Sequence, residues 1–181
     1  MNDIIKEVQS KIKSNILFDF DMGKSTWFRV GGRAKAYVVV NNIKDLKTIL
    51  NYANKINYYI IGAGSNLLVR DSGFDGLIIK LGRNFNKIKI VNNRLSVGAA
   101  VLDLNLSKFA KKNSIKDFEF FSGIPGTVGG AVIMNAGCYG SQTADNLERV
   151  LIVNEFYKLE HIKVEDLNLN YRSSDIGKKS I

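Results

Sequence analysis

The sequence predicts an α+β protein built from two packed subdomains, residues 1–81 and 82–181. Two observations carry that prediction. The chain has 181 residues, enough for one domain or two small ones at roughly 100–200 residues each. Its patterning runs strand, helix, strand, strand up to about residue 80. Beyond that point strands predominate around one long helix, so two α+β layers are expected rather than one alternating α/β unit.

In chain order, residues 3–14 place Ile4, Ile5, Val8 and Ile12 at the spacing of a short helix. Residues 27–30 and 36–40 read as strands separated by Gly31-Gly32. Asn42 can cap a helix whose apolar stripe is Ile43, Leu46, Ile49, Leu50, Ala53 and Ile56. Residues 58–61 form a short buried strand that runs into Gly62-Ala63-Gly64-Ser65-Asn66, and 67–70 read as strand again. Residues 77–81, 88–91 and 94–97 follow as strands. The last two are joined by Asn92-Asn93, a pair suited to a tight hairpin turn. Residues 101–112 are a second amphipathic helix. An apolar stretch at 118–121 leads into 123–140, which holds six glycines in 18 residues and a short helix over 127–135. Residues 147–154 and 159–164 read as strands.

Composition excludes several classes. The chain is 45% hydrophobic and 24% charged, which is neither disordered nor collagen-like. No apolar run reaches the ~18 residues of a membrane span. The opening Met-Asn-Asp-Ile-Ile-Lys lacks a basic stretch followed by an apolar one, so no signal peptide is expected. One cysteine (Cys138) and one histidine (His161) exclude an internal disulfide and a His/Cys metal site, and a reducing cytoplasm is the expected setting. The formal charge is +9, but lysine outnumbers arginine 19 to 7 and the basic residues are dispersed. This is the residue bias of an AT-rich genome. Nucleic-acid binding is not expected, although a positive surface attracts anionic ligands.

Gly23-Lys24-Ser25-Thr26 has the end of a P-loop, but Phe18 stands where the first glycine is required and no strand precedes it. Gly62-Ala63-Gly64 begins a dinucleotide fingerprint, yet Leu67 occupies the third glycine position. Two readings stay open for this loop. Its amides cradle an anion with help from Ser65 and Asn66, or it is a glycine-rich turn between buried strands. Gly123-Ile124-Pro125-Gly126-Thr127-Val128-Gly129-Gly130 favours a cofactor cradle. Its glycines leave amides uncovered, and the short helix that follows is expected to aim its N-terminus at the ligand. Taken alone, Arg172 reads as a surface arginine, His161 as a surface or packing residue, and Cys138 as unreactive.

Taken together, these segments resemble a known family. Residues 25–32 (Ser-Thr-Trp-Phe-Arg-Val-Gly-Gly), 61–69, 123–140 and Tyr171-Arg172 are similar in order and spacing to UDP-N-acetylenolpyruvoylglucosamine reductases, in the shorter subtype. The resemblance implies an FAD-binding domain of the vanillyl-alcohol-oxidase (PCMH) type, with FAD held non-covalently. Gly62, Gly64, Ser65 and Asn66 match the turn that receives the pyrophosphate. Ile124, Pro125, Gly126, Gly129, Gly130, Ile133 and Gly137 match the segment along the cofactor. In the family, hydride from NADPH reaches the vinyl carbon of the enolpyruvyl substrate by way of the flavin. An arginine and a glutamate stabilise the enol intermediate, and a serine protonates it. Arg172 matches that arginine, and Tyr171 matches a residue lining the substrate pocket. Negative charge building on the substrate carboxylate calls for such a fixed cation.

Family members continue for about another domain beyond the position of Ile181. The resemblance therefore places the serine, the glutamate and most UDP-sugar contacts outside this sequence. Ser173, Ser174 and Ser180 do not match the serine. FAD binding with little turnover is expected of the chain alone. The alternatives are a non-catalytic remnant and another FAD oxidoreductase of the same fold.

Overall fold

The structure, a computed structural model, describes residues 1–176. The chain divides into a unit spanning Met1–Phe85 and a second that starts at Asn86. Ser180 lies outside the described residues.

In the first unit a four-stranded sheet runs in the order β1-β2-β4-β3, from β1 (Ile16–Asp21), β2 (Arg33–Val40), β3 (Tyr58–Ile61) and β4 (Phe74–Leu81). β1 pairs antiparallel with β2, whereas β4 is parallel to both neighbours. The apolar run Leu77, Ile78 and Ile79 in β4 is wholly buried, as a strand between parallel partners requires. The crossover from β2 to β3 is α2 (Ile43–Leu50). Asn42 caps it by accepting the Asp45 amide at 2.8 Å. The carboxylate of Asp45 accepts bonds from the Ser14 hydroxyl (2.7 Å) and amide (2.8 Å) and the Lys13 amide (3.1 Å), tying α2 to the residues after α1 (Asn2–Lys11). Burial opposes the charge on Asp45. These bonds outweigh it and hold the carboxyl below its usual range.

Two predicted strands are loops. Residues 27–30 form a turn in which Arg29 takes φ +57° and the Thr26 hydroxyl donates to the Val30 carbonyl at 3.0 Å. Residues 67–70 pack Leu67 and Val69 against the core of Met22, Tyr37, Ile61 and Ile78 without joining a ladder. β1 was not predicted. It is an edge strand whose Leu17 and Phe18 both stay exposed, so it lacks the alternation that marks a half-buried strand.

The second unit opens with the hairpin β5 (Ile88–Val91) and β6 (Arg94–Val97). The tight hairpin turn expected at Asn92-Asn93 is present, and both residues have positive φ (49° and 60°), as a type I′ turn requires. Then come α3 (Asp103–Lys112), a 3-10 turn (Glu119–Gly123), α4 (Val128–Ile133), the two-residue strands β7 (Gly137–Cys138) and β8 (Ser141–Gln142), and α5 (Thr143–Asn146). β9 (Arg149–Val153) and β10 (Leu159–Lys163) close the unit as an antiparallel pair, with His161 exposed on β10. α4 lies between two cores. Ala131 packs with Val101, Leu106, Phe120 and Phe121, and Val132 packs with Ile152, Leu167 and Ile176.

Candidate functional site

The first candidate loop leaves β3 at Ile61 and turns through Gly64, which has φ +71°. A Cβ on Gly64 would stand 2.3 Å from the Ser25 carbonyl oxygen, and the Gly64 carbonyl accepts the Trp27 amide at 2.9 Å. Glycine is required here by the neighbouring backbone of this chain, not by room for an anion. The loop offers a ligand its amides instead. The N–H groups of Ala63, Gly64 and Ser65 make no hydrogen bond among the described residues. Successive unpaired amides around a left-handed residue form an anion-binding nest.

The second loop is built in the opposite way. The amide of Val128 donates to the Val101 carbonyl (2.8 Å), that of Gly129 to the Ala99 carbonyl (2.9 Å) and that of Gly130 to the Thr127 hydroxyl (3.4 Å). The expectation of an open helix N-terminus is therefore corrected. α4 has six residues, Thr127 caps it, and its first amides are consumed within the unit. The Gly126 amide bonds back to the Ile124 carbonyl at 2.9 Å, a tight turn centred on Pro125, whose fixed φ suits it. Close packing explains two of the glycines. A Cβ at Gly126 would meet an Asp103 carboxylate oxygen at 2.6 Å, and one at Gly129 would meet Ala99 at 2.9 Å. Gly130 differs: its nearest neighbour would be 3.5 Å away, an ordinary contact. Beside it Ile133 is 42% exposed, so this stretch presents apolar surface next to a bare backbone.

Asp103, at the first turn of α3, was missed by sequence reasoning. It is 0% exposed, and neither carboxylate oxygen has a hydrogen-bond partner. Burial pushes this carboxyl up to about 7. An aspartate at a helix start signals a cap, but the N-cap position belongs to Leu102 and the carboxylate caps nothing.

Tyr171 and Arg172 sit at the tip of a turn closed by reciprocal backbone bonds between Asn170 and Ser173 (3.0 and 3.2 Å). Arg172 is left-handed at φ +53°, and Tyr171 is 89% exposed. Asn135, just past α4, donates from Nδ2 to the Asn170 carbonyl at 3.3 Å. That bond joins the turn to the glycine-rich segment across 35 residues of sequence, which is why sequence reasoning did not single out Asn135.

A family model described as an FAD binding domain matches residues 34–156. The chain belongs to the FAD-binding domain family. It is 41% identical over 174 residues to the UDP-N-acetylenolpyruvoylglucosamine reductase of Pelagibacter ubique, covering 95% of this chain and 58% of that protein. The enzyme of the same name from Rickettsia conorii is 39% identical over 171 residues, with 94% and 58% covered. The chain thus spans under two thirds of the length of these relatives. Among solved structures, the UDP-N-acetylenolpyruvylglucosamine reductase of Thermus caldophilus superposes with a TM-score of 0.77 at 31% identity, over 91% of this chain and 57% of that one. The 6-hydroxy-D-nicotine oxidase of Arthrobacter nicotinovorans, at TM-score 0.61 and 19% identity over 86% of this chain and 37% of that one, shares the fold alone. The α+β architecture is that of vanillyl-alcohol-oxidase-type FAD-binding domains.

The residues present fit a flavin dinucleotide. Taken by itself, the first unit offers unpaired amides at 63–65 suited to a pyrophosphate; taken by itself, the second offers a bare backbone at Gly130 beside exposed Ile133 suited to a flat, largely apolar group. Among the described residues no group of His, Cys, Asp and Glu is arranged to hold a metal ion, and no helix is long and apolar enough to cross a membrane.

Proposed function

We propose that this chain is the flavin-holding part of a cytoplasmic reductase. With NADPH it converts UDP-N-acetylenolpyruvoylglucosamine to UDP-N-acetylmuramate for peptidoglycan synthesis. The observation that carries this reading is the open amide nest at 63–65 in a chain that is 41% identical, over 95% of its length, to a reductase of that name.

FAD, when bound, supplies a ring that accepts and returns a hydride. Gly62, Gly64, Ser65 and Asn66 form the loop that receives the pyrophosphate, through backbone amides more than side chains. Ile124, Pro125, Gly126, Gly129, Gly130, Ile133 and Gly137 line the cofactor and exclude water from it. With its packing satisfied internally, this segment contributes shape rather than charge. FAD is held non-covalently. Arg172 holds the substrate carboxylate and stabilises the negative charge that builds there during reduction, and Tyr171 lines the substrate pocket. Because the chain spans 58% of its relatives' length, it is expected to bind FAD on its own with little turnover.

Titration of the purified chain with FAD tests the first half. Saturable quenching of flavin fluorescence is expected, and no uptake at any concentration would overturn the reading. Arg172→Lys tests the second half. It should leave flavin uptake unchanged and, in the polypeptide that the gene encodes, lower the rate of substrate reduction roughly 100-fold, since a lysine cannot reproduce the planar two-pronged contact. An unaltered rate would remove Arg172 from the mechanism. NADPH oxidation that ignores the UDP-sugar would point to another FAD oxidoreductase.

A further inference from the structure

The turn bearing Tyr171 and Arg172 has firm flanks and a bare tip. Leu167 and Ile176 are buried on either side of it, in the core shared with Val132 of α4. Tyr171 is 89% exposed and buries almost nothing. Among the described residues the turn is closed by the backbone pair between Asn170 and Ser173, braced at its base by the Asp175 carboxylate, which accepts from the Asn168 amide and Nδ2, and tied to the end of α4 by the side chain of Asn135.

Asn135 meets two demands at once. Its φ is +40°, a left-handed conformation that Asn tolerates better than other side chains. It is 4% exposed, and its carboxamide is used on both sides. Oδ1 accepts the Ala144 amide at 2.9 Å, while Nδ2 donates to Gln142 Oε1 at 3.0 Å and to the Asn170 carbonyl at 3.3 Å. Glycine would satisfy the backbone but not the bonds. Aspartate would keep the bond from Ala144 but could donate nothing, and its charge would face two acceptor oxygens. Asparagine is the residue that serves both.

We propose that Asn135 is a positioning residue, which fixes the Tyr171-Arg172 turn to the end of α4 and so aligns Arg172 with the cofactor-lining segment. This rests on the reading of Arg172 as the arginine that meets the substrate carboxylate. Loss of the bond leaves the flanks docked and removes the tie between the turn and the end of α4, and a displacement of about 1 Å at such a group costs on the order of 100-fold in rate.

The test uses the FAD-loaded polypeptide that the gene encodes. N135G should keep its FAD dissociation constant within about threefold while kcat falls tenfold or more. Q142A disturbs the same loop but spares the bond to Asn170, and should hold kcat within about twofold. The double variant N135G/R172K should be no worse than R172K by more than about twofold, because both changes remove one function. The proposal is overturned if N135G keeps kcat within twofold, if its flavin affinity falls as far as its rate, or if the two losses multiply. If R172K itself runs at full rate, the reading of Arg172 fails and this role falls with it. If R172K is slow and N135G is normal, only the positioning role fails. Should N135G not fold, N135D retains the bond from Ala144 and carries the same expected and overturning results.

Discussion

Replacing Gly64 with valine is expected to destabilise the first unit by about 3 kcal/mol or more and to abolish flavin uptake. Two independent penalties act together. A β-branched residue is forced to φ +71°, where its side chain is least tolerated. Its Cβ is also driven to 2.3 Å from the Ser25 carbonyl oxygen and 3.1 Å from Thr26 Cα, both backbone atoms that cannot rotate away. Relief requires the Ser25–Thr26 segment to retreat, which breaks the bond from the Trp27 amide to the Gly64 carbonyl. The amides of Ala63 and Ser65 then lose their register with Gly64. Thermal unfolding followed by near-ultraviolet circular dichroism should show a fall in Tm of about 10 °C or more. FAD titration should show no saturable quenching. Ser65→Ala is the matched control: it removes a hydroxyl and keeps all three amides, so flavin affinity should fall only severalfold. A Gly64→Val protein with parental Tm and affinity would refute the assignment of this loop.

The second large effect is a pH dependence centred on Asp103. Its carboxyl stands at about 7 in the folded chain, against an ordinary 3.8, because burial penalises the charged form. Between those two values the folded state binds more protons than the unfolded one, so stability falls as pH rises. The stabilising proton is fully in place below the unfolded value and is lost as pH climbs through about 7. The span corresponds to something on the order of 4 kcal/mol between pH 4 and pH 8. Asp103→Asn removes the titration. At pH 8 the variant should melt several degrees above the parent, and at pH 4 the two should converge or reverse. Equal pH slopes in the two proteins would show that Asp103 finds a partner in solution. Any such gain at pH 8 is limited by the new amide, which inherits a buried site where neither carboxylate oxygen has a hydrogen-bond partner.

Legibility of the sequence followed the range of the interaction. Asn42 as a helix cap and Asn92-Asn93 as a hairpin turn were readable, because each is decided within four residues. The family signature likewise lies in contiguous runs. Residues 67–70 misled because Leu67 and Val69 do pack on the core without joining a ladder, and 27–30 because Trp27, Phe28 and Val30 are apolar yet stand exposed on a turn. The role of 128–130 was misread for the same kind of reason. Whether a helix's first amides are free depends on Ala99 and Val101, and nothing in the glycine-rich run discloses that they come within hydrogen-bond reach. Asp103 and Asn135 were invisible as special residues. The first is defined by what it fails to touch, the second by a partner 35 positions away.

The internal bonding of residues 126–131 bears on the thermodynamics of cofactor capture. Glycine-rich backbone loses the most freedom when it is ordered. Here folding orders it, since Val101, Ala99 and Thr127 hold it before any ligand arrives. Flavin association then need not immobilise a floppy strap, and its affinity is not taxed by that loss. Heat-capacity change on binding should accordingly reflect apolar surface covered at the site, with no component from coupled folding of this stretch.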